Sequence, residues 1–86
     1  MSSVAQTGTK PPTLSALRSA RAEVVADLLA WFGGPTTLNA LKYKTRDLGL
    51  TNGQTERAVD DLADAGRVTV TTSAYGTVVV RPGGAA

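Results

Sequence analysis

TNGQTERAVDDLADAG, residues 51–66, runs straight into RVTV, residues 67–70, and the reading of this stretch decides the fold. Thr51 followed by Gln54 has capping-box spacing. The threonine oxygen accepts from a first-turn N–H, and the glutamine side chain reaches back to the cap. Gly66 supplies a left-handed stop just past the last helical turn. Between these marks Thr55, Ala58, Val59, Leu62 and Ala63 recur at helical spacing and predict one buried face. Asn52, Gln54, Glu56, Arg57, Asp60, Asp61 and Asp64 are left for solvent or a partner. The stretch therefore predicts a helix over 52–65 with a strand following at once.

Upstream, LNALKYKTRDL predicts a second helix over 38–48, ended by Gly49, with Leu38, Leu41, Thr45 and Leu48 on one face. Lys42 and Arg46 lie together on its outward side, Tyr43 is outward too, and Lys44 sits on the opposite flank. Thr36-Thr37 suits a very short strand that then caps this helix. Before it, a first helix over 14–32 is stopped by Gly33-Gly34-Pro35. Its apolar residues occupy nearly half the circumference, more than the stripe a small core needs. Either this helix is touched on two sides within one domain, or one edge, Leu14, Val25 and Leu29, is a homodimer seam. Arg18 and Arg21 fall at or inside the arc, where their stems can cover apolar surface.

Downstream, Val68 and Val70 alternate with Thr69 and Thr71, the two-residue period of a half-buried strand. Val78 and Val80 match them across a turn at Ser73-Ala74-Tyr75-Gly76. The order is α, short β, α, α, β, β. Residues 1–12 read as a flexible leader, 13–82 as one domain and 83–86 as a flexible tail.

The chain has 86 residues, no Cys and no His. Disulfides, thiolate metal sites and the commonest general base are thereby excluded. No apolar run approaches membrane-spanning length, and the first residues lack a signal-peptide core, so a cytoplasmic location is expected. The net charge is +2 and the sequence pI about 9.4, which permits nucleic-acid binding without demanding it. Asp60, Asp61 and Asp64 on one helix do not supply the converging oxygens a hard cation needs. No phosphate loop and no nucleophile–base pair is visible. Neither an enzyme, a cofactor, a metal nor a small-molecule substrate is expected.

With LTNGQTERAVDDLADAGRVTV at its centre, the order of elements resembles the winged helix-turn-helix superfamily over about residues 15–81. The resemblance implies an α+β fold of three helices and a two-stranded β-hairpin wing. It also implies a DNA-binding role for a transcriptional regulator or accessory factor, of a kind found in bacteria, phages and plasmids. In DNA-binding members the third helix enters the major groove. Carried over by position, Asn52, Gln54 and Arg57 become base readers. Lys42, Tyr43, Lys44 and Arg46 become phosphate contacts, as does the helix start at Thr51. Ser73 and Tyr75 become wing contacts, without the basic tip of many relatives. One departure stands out: helix 52–65 carries Glu56, Asp60, Asp61 and Asp64 against Arg57, four acids to one base, a net of −3. A protein-binding module of the same fold, working through the first helix or this acidic one, is the alternative.

Overall fold

The computed structural model describes residues 13–83; the expected leader and most of the expected tail lie outside the described residues. The chain forms α1 (Leu14–Phe32), β1 (Thr36–Thr37), α2 (Leu38–Asp47), α3 (Asn52–Asp64), β2 (Val68–Thr72) and β3 (Val78–Pro82). The class is α+β, three helices on a three-stranded antiparallel sheet of order β1-β3-β2. This corrects the two-stranded expectation. Thr36 and Thr37 pair with Val80 and Val79, so β3 becomes the central strand.

Local chemistry accounts for the element ends. Each helix starts on a threonine whose side chain accepts an orphan first-turn N–H: Thr13 from Ala16 at 3.0 Å, Thr37 from Ala40 at 3.1 Å and Thr51 from Gln54 at 3.1 Å. At α3 the box is complete, with the Thr51 N–H donating to Gln54 Oε1 at 3.0 Å. Both α2 and α3 close on a left-handed glycine, Gly49 (φ 90°) and Gly66 (φ 72°). After α3, Gly66 N–H donates to Ala63 O and Arg67 N–H to Leu62 O; after α2, Gly49 donates to Arg46 O and Leu50 to Thr45 O. These paired bonds satisfy carbonyls that would otherwise be orphaned, and a side chain at the glycine would oppose the required φ.

The core consists of Ala22, Val25 and Leu29 from α1, Leu41 from α2, Ala58, Val59 and Leu62 from α3, and Val68 and Val80 from the hairpin. The buried face expected for α3 is there, with Ala63 packed at its margin. The edge of the α1 arc expected as a seam, however, faces inward. Val25 is 0% exposed and Leu29 1%, whereas Trp31 is 68% exposed. Val25 and Leu29 are thus core residues, and a dimer seam through them is ruled out. Leu14 is exposed but stands apart at the start of the helix. The reason is length and placement. A 19-residue helix runs about 28 Å, farther than α3, so its first turns stay uncovered; beyond them Ala22, Val25 and Leu29 form the buried stripe, Phe32 packs at its end, and Trp31 is left on the outer face. Leu48, expected on the buried face of α2, is exposed as well, because α2 ends at Asp47 and Leu48 is its cap.

Between α2 and α3 the buried contact is polar. Thr45 and Thr55 are fully buried, with their hydroxyls 2.5 Å apart. Thr45 Oγ1 also donates to Lys42 O at 3.2 Å. A hydroxyl has one hydrogen, so Thr55 is the donor between the two. The link is satisfied at both ends and fixes the rotation of α3 against α2, which decides which α3 residues face outward.

Candidate nucleic-acid interface

With Thr55, Ala58, Val59 and Leu62 turned inward, the exposed residues of the first half of α3 are Asn52, Gly53, Glu56 and Arg57. Its two flanks differ. Toward α2, Lys42 Nζ donates to Glu56 Oε2 at 2.7 Å. Toward α1, Arg18 forks onto Asp61, Nη2 donating to Oδ1 at 2.7 Å and Nε to Oδ2 at 3.4 Å. That carboxylate raises the Arg18 pKa above the ordinary guanidinium value, first through the hydrogen bond and then through its charge. Two of the four acids on α3 are therefore matched by bases from neighbouring helices. Asp60 and Asp64 stay exposed. Among the described residues no set of three acids is placed to hold a metal ion. A third ion pair, Arg67 with Glu23, ties the end of α3 back to α1. The hydrogen bond from Arg67 holds the Glu23 carboxyl below its usual range, against a smaller opposing effect of burial.

No family model, curated protein or solved structure matches the chain. Its functional reading rests on the residues themselves.

The structure brings some of the sequence candidates together and separates others. Arg57, Gln54 and Thr51 line one groove of about 400 Å³ against α1. Lys42 and Tyr75 line a second cleft, of about 430 Å³, where the hairpin turn meets the start of α2 and Glu56. Tyr75 is 96% exposed. Inside the turn the Ser73 hydroxyl oxygen accepts the N–H groups of Tyr75 and Thr77 at 3.2 and 3.1 Å, which leaves its hydrogen to donate. Gln54 Oε1 is likewise engaged at the cap. A bidentate glutamine–adenine contact needs both amide atoms, so Gln54 would have to give up the cap to make one. Lys44 points elsewhere, its Nζ 5.5 Å from the centroid of the Trp31 ring. Tyr43 and Arg46 are exposed on α2.

The sequence reading missed two residues. Arg18 and Arg21, assigned only to covering apolar surface, line the groove beside Arg57. Their spacing to Val25 and Leu29 carried the signal, since it puts them on the stripe that packs against α3. That signal becomes legible only once the buried edge of α1 is known.

Proposed function

We propose that this protein binds double-stranded DNA in the manner of a winged helix-turn-helix domain, with the first half of α3 in the major groove and the β2–β3 hairpin as the wing. The proposed role is binding rather than catalysis. The observation that carries it is the pairing of Glu56 with Lys42 and of Asp61 with Arg18. The acids that argued against contact with phosphate are offset inside the protein. Arg21, Arg46 and Arg57 meanwhile have no acidic partner among the described residues. Asp60 and Asp64 belong to the second half of α3, which angles away from the duplex in the usual docking. A protein neutralising about four phosphates per subunit gives a log–log salt slope near −3 to −4. Titrating labelled duplex between roughly 50 and 200 mM salt measures it. Binding that is undetectable at the lower salt, or that ignores salt, defeats the proposal.

A second surface supports a protein partner. Trp31 and Leu48, 68% and 55% exposed, form a shallow apolar concavity with Leu28, edged by Lys44 and Asp47. One cation and one anion at the rim make the patch self-complementary. A two-fold axis through the patch would set each Lys44 against the partner subunit's Asp47. A second copy of this chain is therefore the proposed occupant, and the dimer would read a two-fold related site. Trp31 is the only tryptophan, so its emission should move to shorter wavelength as the protein is concentrated from about 1 to 100 µM, the range in which micromolar dimers form. Lys44→Glu and Asp47→Lys should each sediment as monomers, and their equimolar mixture should dimerise. Concentration-independent emission together with monomeric wild type would remove this surface from the proposal.

A further inference from the structure

Arg18 and Arg21 from α1 and Arg57 from α3 converge on one groove whose single acid among the described residues is Asp61. Asp61 is already engaged by Arg18. Arg21 is half-buried, Arg57 is exposed, and neither has an acidic partner among the described residues. Guanidinium groups gathered around one concavity repel each other in the free protein. A phosphate between them turns repulsion into attraction, because the planar N–H forks match its oxygens.

We propose that the α1–α3 groove binds a phosphate group, supplied by the backbone of duplex DNA, with Arg21 and Arg18 as its cations and Asp61 as an internal competitor for Arg18. This rests on the DNA-binding reading and adds α1 to it. The groove suits a phosphodiester because its rim residues Leu14, Gly53 and Arg57 are exposed, so a strand can run on past it. Arg57 stands between this groove and the exposed face of α3 and is left for base reading. Asp61 sets how much of the groove's charge is on offer: phosphate gains Arg18 only by displacing the carboxylate.

The test compares salt slopes of duplex binding for the wild-type chain, Arg21→Gln, Asp61→Asn and Asp64→Asn. The last makes the same charge change on the same helix at an exposed residue that makes no ion pair among the described residues. Arg21→Gln should make the slope shallower by about 1 and weaken specific and random duplexes by the same factor. Asp61→Asn should steepen it by up to about 1 and tighten binding, while Asp64→Asn leaves the slope near wild type. An unchanged slope in Arg21→Gln, or equal slopes in the two Asp variants, overturns the inference while leaving DNA binding intact. Should the wild-type chain bind no duplex at all, the DNA reading falls separately. Inorganic pyrophosphate then decides the groove through the side-chain Nε–H signals of Arg18 and Arg21. Shifts in those signals uphold a phosphate site with a free ligand, and unmoved signals overturn it.

Discussion

Leu29→Glu should abolish the folded state, with loss of helical circular dichroism and no cooperative melt. Leu29 is 1% exposed and packs in a core of nine residues. Losing a buried leucine forfeits about 1.5–3 kcal/mol of transfer free energy. Placing an unpaired carboxylate there costs several kcal/mol more, whether paid as desolvation or as protonation. Folded domains hold only about 5–15 kcal/mol in total, and a small one sits toward the lower end because it buries a smaller share of its surface. The substitution thus consumes most or all of the margin. Had Leu29 belonged to a dimer seam, the same change would have produced a folded monomer. A folded, monomeric Leu29→Glu protein would therefore contradict the packing described for α1. Leu14→Glu, at the uncovered start of the same helix, should melt close to wild type.

What could be seen in the sequence was local. The Thr51–Gln54 box, the Gly49 and Gly66 stops and the Thr37 cap each depend on atoms within a few residues, so spacing alone exposes them. The α3 core stripe was equally legible, since polar residues crowd every other face of that helix. α1 was not. With apolar residues around half its circumference, nothing local says which edge meets α3. That choice is made by Ala58, Leu62 and the sheet, far along the chain. The ion pairs that set the character of the site are non-local as well. Lys42 and Glu56 lie 14 residues apart, and Arg18 and Asp61 lie 43 apart. Counting charge on α3 by itself made it an acidic helix; its packed neighbours offset half of that acidity. The third strand was only partly legible, because two threonines are too short a run to show alternation, and their pairing is decided by Val79 and Val80.

The site makes its sharpest demand at two adjacent residues. Glu56→Gln and Arg57→Ala both alter charge on the first half of α3, yet they should move DNA binding in opposite directions and in different ways. Glu56 holds Lys42 Nζ at 2.7 Å. Converting it to the neutral amide releases a cation that lies outside the base-reading face. Such a cation positions the duplex without reading it, so specific and random sequences should tighten together. One added phosphate contact steepens the salt slope by about 0.9, on the order of tenfold in affinity near 0.1 M salt. Arg57 is exposed near the α3 start and makes no ion pair among the described residues. A bidentate arginine–guanine contact carries about 1–3 kcal/mol of discrimination. Arg57→Ala should therefore weaken the preferred duplex by about 5- to 150-fold relative to random duplex, with the random affinity falling only by its lost charge. Both changes are at exposed positions, so the melts should stay near wild type and the binding differences can be taken at face value. Competition titrations with selected and shuffled duplexes separate the two effects. If Glu56→Gln weakens binding, Glu56 itself meets the DNA, as a carboxylate accepting from cytosine would. If Arg57→Ala lowers both affinities by one factor, Arg57 belongs with Arg21 on the phosphates, and sequence reading passes to Asn52.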